Sequence, residues 1–384
     1  MGVLIETILF DIDGVLLSEE RYFDASALTV LELLYSPAYV SLEGQLFKNQ
    51  LTNLEIQDIR SIVFQKDDVL NFMKSLGINA NWDMVYLTFS YQLILMLEAI
   101  QETEPELVEE GFGSPLTRYW LQKVGQAVNR LSSPHFKPLF DLFTLDLKSW
   151  PEEPDLFKRL DLLAEVRLGK KTNLFSSREP LWSLCQAAFQ EFYLGSKLYK
   201  EVAGIDAIDP LKPGFLEDEI PLLTPETLQS LFKSIKKQGF SIGIGTGRPT
   251  IETEIPLRHL GLWELFESER IVTASDIENV KKEFPDWGPL SKPHPLTYLI
   301  GFFKREPNLE TIYNLPRPID RAETLLIVGD SLADLLAARA IGAPFAAVLT
   351  GLSGQAARST FETHNADYIL NDLSELPTIL PKKM

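Results

Sequence analysis

Cysteine is almost absent: Cys185 is the only one in 384 residues, so no disulfide can form within the chain, which suits a reducing compartment. Basic residues are outnumbered, 36 against 54 acidic, and the net charge of −18 argues against nucleic acid or an anionic membrane as a partner. The same field disfavours long-range attraction of anions, so an anion bound here must be held by local groups. Uninterrupted apolar runs of membrane-spanning length are also lacking. The most hydrophobic stretch, residues 85–100, is broken by Thr88, Ser90, Gln92 and Glu98 and reads as a buried helix. The first residues enter a short apolar run without the basic segment and longer apolar stretch of a secretory leader, which makes the cytoplasm the expected location. There is no internal repeat and no low-complexity segment.

What is present begins at Ile8-Leu9-Phe10-Asp11-Ile12-Asp13-Gly14, an apolar strand that stops at two aspartates one residue apart. Residues two apart on a strand share a face, so both carboxylates are expected in one crevice, a nucleophile beside a proton carrier. Gly14 fits a tight turn off the strand end, and the carboxyl ends of parallel strands are where open α/β sheets place ligands.

Three later segments extend the pattern. Ser241-Ile242-Gly243-Ile244-Gly245-Thr246-Gly247-Arg248 brings a hydroxyl, a glycine N–H able to approach an anion and a guanidinium to another strand end. Ser291-Lys292-Pro293-His294-Pro295 holds a lysine in a proline-stiffened segment. Thr324-Leu325-Leu326-Ile327-Val328-Gly329-Asp330-Ser331-Leu332-Ala333-Asp334 is a buried strand that turns into a helix running to about Gly342. Taken singly each has an ordinary structural reading: an aspartate-capped turn, a strand-to-turn junction, a solvated lysine, a helix cap. Ser331 and His294 read as a helix N-cap and a turn residue.

Together and in this order the four segments closely resemble the haloacid dehalogenase superfamily of phosphohydrolases, over residues 1 to about 17 and about 216 onward. The resemblance implies that Asp11 attacks phosphorus and becomes an aspartyl phosphate, while Asp13 acts as general acid and base. It implies Mg2+ on the Asp11 carboxylate, the Asp13 backbone carbonyl and the Asp330 carboxylate, with Asp334 a ligand or a supporting partner. Thr246 and the Gly247 N–H would hold phosphoryl oxygens, Lys292 would neutralise charge on Asp11 and phosphate, and Arg248 is an expected substrate contact or a locally paired arginine.

The residue types agree with that chemistry. A carboxylate nucleophile divides hydrolysis into two easier steps, and the leaving alkoxide needs a proton that Asp13 can supply. Neighbouring carboxylates repel one another and an anionic substrate, so a cation is required; magnesium prefers such hard oxygen donors. A small phosphorylated metabolite fits the acidic chain better than a polyanion. A phosphomutase or other phosphotransferase would use the same core residues. A hydrolytic dehalogenase has no need of Asp13, and a non-catalytic binding protein predicts decay of motifs that are all present.

About 230 residues separate Asp13 from Thr246, far more than one crossover needs, so a domain is inserted there. The expected division is an α/β core at 1–17 and 216–384 with an inserted helical domain at 18–215. Helical stripes recur in the insert, at Trp120, Val124 and Val128 and at Leu181, Cys185, Ala188 and Phe192. The resemblance makes this insert a cap over the site, larger than usual. Residues 209–214, Asp-Pro-Leu-Lys-Pro-Gly, read as a hinge. Beyond them, a helix starting at Thr224-Pro225 and strands at 270–273, 345–349 and 366–370 predict a Rossmann-like parallel sheet with helices on both faces.

Overall fold

The computed structural model describes residues 5–45, 47–78, 80–113, 115–131 and 136–381. The chain divides into two compact units, Met1–Glu19 with Leu216–Met384, and Glu20–Phe215.

The first unit is built on six parallel strands: β1 Thr7–Phe10, β2 Ser241–Gly245, β3 Ile271–Val272, β4 Leu325–Gly329, β5 Phe345–Val348 and β6 Tyr368–Leu370. Their order is β3-β2-β1-β4-β5-β6, so the chain steps outward to one side of β1 and then returns to its other side. That reversal opens a crevice at the carboxyl ends of β1 and β4. Phe10 lies opposite Ile244 on one side and Val328 on the other, which puts the residues after all three strands at one edge.

Both faces of the sheet are covered, as strands that are apolar at nearly every position require. Ile8, Phe10, Ile242, Ile244 and Val328 pack with Leu228, Phe232 and Ile235 of the helix Pro225–Lys237. Leu9, Ile327 and Phe345 face the opposite cluster, with Leu299 and Ile300 of Leu296–Phe303 and Leu335 and Ala338 of Leu332–Ile341. The helix Pro225–Lys237 starts as its residues dictate: the Thr224 side chain accepts from Thr227 N, and Pro225 fills the first turn, where no N–H is needed.

The second unit is helical throughout its described elements. Its centre is Asn81–Ile100, the one helix among the described residues long and apolar enough to cross a membrane; 83% of its apolar window is buried within the protein, so it serves as a core helix. Two of its polar side chains find partners within the unit: Tyr91 Oη donates to Asp146 Oδ2 at 2.9 Å, and Gln92 Oε1 accepts from Leu139 N at 2.9 Å. The returning segment corrects the expected hinge. Ser196 Oγ donates to the Asp209 carbonyl at 2.6 Å, Lys212 N donates to Ser196 Oγ at 3.0 Å, and Ile208 N donates to Glu191 Oε1 at 3.0 Å. Lys212 itself is buried between Glu32 and Glu191, at 2.8 and 2.9 Å. Proline and glycine here shape a stitched turn: Gly195 and Gly214, both at positive φ, approach so closely that a Cβ on Gly214 would lie 2.7 Å from the Leu194 carbonyl oxygen.

Candidate active site

The ladder between β1 and β4 continues one residue past the strand, with Asp11 N donating to the Val328 carbonyl at 2.9 Å. The chain then turns sharply: Gly14 takes φ +67°, its N–H donates to Leu17 O at 2.8 Å, and Ser18 N donates to Ile220 O at 2.8 Å. Asp11 and Asp13 therefore leave a strand end and enter a turn, and different cations hold their carboxylates. Asp11 Oδ2 lies 2.9 Å from Lys292 Nζ, while its Oδ1 accepts from Ile12 N at 2.8 Å. Asp13 Oδ1 lies 2.6 Å from Arg248 Nη2.

Lys292 bridges two carboxylates, Asp11 and, at 2.8 Å, Asp334 Oδ1. Asp334 is held on three sides, by Lys292, by Tyr298 Oη at 2.7 Å and by Ser331 Oγ at 2.6 Å. Burial works to raise the Asp334 carboxyl, but the Lys292 ammonium and these hydrogen bonds hold it below the usual range. Asp11 goes the other way: burial, opposed by Lys292 and reinforced by the Asp334 and Asp13 charges, pushes it up to about 7. Burial disfavours the Lys292 charge, and the two carboxylates more than offset it, raising that group above the ordinary lysine range.

Asp330, immediately after β4, completes an acidic cluster: one carboxylate oxygen each from Asp11, Asp330 and Asp334 lies within 4.8 Å of the others. Two glycines make its place. A Cβ on Gly14 would sit 2.2 Å from Asp330 Oδ2, and one on Gly351 would sit 1.9 Å from it. Thr350 Oγ1 donates to the Gly14 carbonyl, tying the residues after β5 to the turn after β1.

Past β2, Thr246 N continues that ladder to the Val272 carbonyl at 3.0 Å, and its buried hydroxyl accepts from Arg248 N at 3.1 Å. Gly247 is exposed, and a Cβ added there would meet nothing within 4 Å, so its face is open to an approaching group. Of the two expected readings of Arg248, the structure shows the paired arginine rather than a free guanidinium facing the crevice. Its side chain is 1% exposed and is spent on Asp13 and on Glu219 Oε1, the latter at 3.0 Å. His294 is a turn residue, its Nδ1 accepting from Leu296 N at 3.3 Å and its ring stacked on Tyr313.

Sequence reasoning missed Tyr298, Gly351, Thr350 and Glu219. A tyrosine inside the apolar run Leu296-Thr297-Tyr298-Leu299-Ile300 must find a partner for its hydroxyl, which is a usable signal. Glycine just past β5, beside the strand that carries Asp330, is another.

A family model described as HAD-hydrolase-like matches residues 290–376. Pyrophosphatase PpaX of Bacillus anthracis is 30% identical over 155 residues, 40% of this chain and 58% of that protein. Pyrophosphatase PpaX of Bacillus mycoides is 28% identical over 157 residues, 41% of this chain and 60% of its own length. The match thus spans a little over half the length of these curated relatives. An X-ray structure of a Northeast Structural Genomics Consortium target superposes with a TM-score of 0.85 at 38% identity, covering 98% of each chain. In its parallel sheet, the aspartates at its crevice and these matches, the chain is similar to the haloacid dehalogenase superfamily.

Proposed function

We propose that this chain is a magnesium-dependent phosphatase that hydrolyses a small phosphate monoester through Asp11. The observation that carries the reading is the Asp11 carboxylate set 2.9 Å from Lys292 at the strand end, inside the cluster with Asp330 and Asp334.

The donor set fits a hard divalent cation. Three carboxylates converge with one ammonium among them, and oxygen donors in such number suit magnesium. Asp11 and Asp330 would hold the ion together with the Asp13 backbone carbonyl. Asp334, fully buried and engaged by Lys292, Tyr298 and Ser331, would support Lys292 and the cluster. When bound, the ion supplies charge neutralisation between the carboxylates and the phosphate.

An Asp11 oxygen attacks phosphorus, forming an aspartyl phosphate as the bond to the ester oxygen breaks. Asp13 gives its proton to that departing oxygen, then takes one from the water that attacks the same phosphorus and frees phosphate and Asp11. Both Arg248 contacts fall on Asp13 Oδ1, and the side chain keeps 27% exposure, which suits a carboxyl that must reach reactants. The Thr246 hydroxyl and the Gly247 N–H orient phosphoryl oxygens, and Lys292 stabilises charge shared by Asp11 and phosphate.

The direct test is phosphate release from a panel of small monoesters, with magnesium and with chelator. The relatives' name adds inorganic pyrophosphate to the panel. Metal-dependent release from a monoester is the expected result; release from pyrophosphate alone, or from nothing, overturns the substrate class. Two variants probe the metal assignment. Asp13→Ala removes the proton carrier and keeps its backbone carbonyl, so turnover falls about 100-fold or more while calorimetric magnesium affinity changes little. Equal loss of both contradicts the assignment. Gly351→Ala drives a methyl into Asp330, and we expect about 10- to 100-fold weaker magnesium binding with the circular dichroism spectrum retained. Unchanged affinity would remove Asp330 from the site.

A further inference from the structure

Arg248 has no role in the chemistry just described, yet it is among the largest fully buried side chains of the protein. Its fork faces two ways. Nε and Nη2 both donate to Asp13 Oδ1, at 2.9 and 2.6 Å. Nη1 donates to Glu219 Oε1 at 3.0 Å and to the Glu252 carbonyl at 3.2 Å. Glu219, 1% exposed, already balances the buried guanidinium charge, so neutralisation alone does not require a second carboxylate. The edge that remains goes to the partly exposed Asp13. Because the guanidinium is planar, anchoring Nη1 on Glu219 and on the Glu252 carbonyl fixes the direction in which Nε and Nη2 point.

Asp13 needs such a hold. It lies beyond the end of β1, in a turn whose own bonds run from Gly14 N to Leu17 O and from Leu222 N to Leu16 O. Those bonds set the backbone and leave the carboxyl rotamer to Arg248. Resting on the phosphatase reading above, we propose that Arg248 is a positioning residue for Asp13, with Glu219 as its anchor. It touches no reacting atom. Its effect is to fix the proton-carrying carboxyl where a displacement of about 1 Å costs on the order of 100-fold in rate.

The test uses leaving groups. An aryl phosphate such as p-nitrophenyl phosphate expels a stable phenolate that needs little help from a proton; an alkyl phosphate expels an alkoxide that needs it. Arg248→Lys keeps the charge and loses the fork. We expect its kcat/KM, which reads the steps through cleavage of the ester bond and not the later hydrolysis common to both substrates, to fall by about 100-fold on an alkyl phosphate and by less than about tenfold on the aryl phosphate, with inhibition by inorganic phosphate unchanged. Glu219→Gln keeps Arg248 and loosens its anchor, and gives the same split at smaller size; it decides the question if Arg248→Lys does not fold. Equal losses of kcat/KM on both esters overturn the positioning role. Weakened phosphate inhibition also overturns it and makes Arg248 a phosphoryl contact. A wild-type protein that cleaves neither ester overturns the phosphatase reading itself, so the two failures are distinct.

Discussion

On the proposed mechanism, Asp11→Asn is expected to abolish phosphate release, by about 10⁴-fold or more, and to leave the protein folded. The size follows from the role: a nucleophile that forms the covalent intermediate has no substitute in the amide, which is neutral and far less nucleophilic. Stability moves the other way. Burial is the largest influence on Asp11 and pushes it up to about 7 from an ordinary 3.8. A carboxyl raised in the folded state favours folding fully only below its unfolded value. Between the unfolded and folded values the unfolded chain holds fewer protons, so stability falls as pH rises and the loss is complete above about 7. The asparagine carries no such charge. The variant is therefore expected to melt at or above the wild-type temperature near neutral pH without magnesium, an exchange of stability for activity common at reactive centres. Phosphate release and a thermal melt on the same preparation check both halves. Normal turnover in the variant would eliminate Asp11 as nucleophile, and a large drop in melting temperature would show that its charge stabilises the fold.

The parts of this molecule legible in the chain are those written in local pattern. The strands follow from short apolar runs, most of them stopping at Gly, Asp or Thr, since strands buried on both faces carry no polar alternation. The helix Pro225–Lys237 announces itself through Thr224, Pro225 and the stripe Leu228, Leu231, Phe232 and Ile235. Asp11, Lys292, Asp330 and Asp334 stand out because they sit at strand ends, in a stiff turn or in the helix turn that follows one, and the fold gathers them.

What was not legible depends on partners distant in sequence. Arg248 stands two residues from Thr246, and the sequence left a substrate contact and a paired arginine both open; the choice comes from Asp13, 235 residues away, and from Glu219. Tyr298 looks like core until Asp334 is seen to accept its hydroxyl. Asp209-Pro210-Leu211-Lys212-Pro213-Gly214 has the composition of a linker. Whether such a segment swings or is stitched down depends on what Lys212 meets, and local composition contains no trace of Glu32 or Glu191.

That buried lysine carries the largest stability effect expected in the helical unit. Glu32 and Glu191 flank one ammonium, with all three side chains at 2% exposure or less, and Lys212 Nζ also sits 4.5 Å from the Phe192 ring. Removing one member of a buried ionic group costs about 3–5 kcal/mol, because the charge left behind keeps its desolvation penalty without a partner. Lys212→Met preserves volume and strands two carboxylates, so we expect a melting temperature lower by roughly 6–20 °C at about pH 8. The pH dependence identifies the cause. Burial, opposed by Lys212 and helped by Glu191 and Asp209, already pushes Glu32 up to about 7 from 4.5. Its ionised form therefore costs stability that accrues as pH rises between those values, on the order of 3 kcal/mol in the wild type. Without Lys212 that cost grows, so the deficit of the variant is greatest above neutrality and shrinks toward about pH 5.5, as the stranded carboxylates take up protons. Adding Glu32→Gln to Lys212→Met should recover part of the loss at about pH 8 and little at about pH 5.5. Melts followed by far-UV circular dichroism across that range decide it: a deficit that stays constant or widens on acidification would show that Lys212 contributes packing rather than charge.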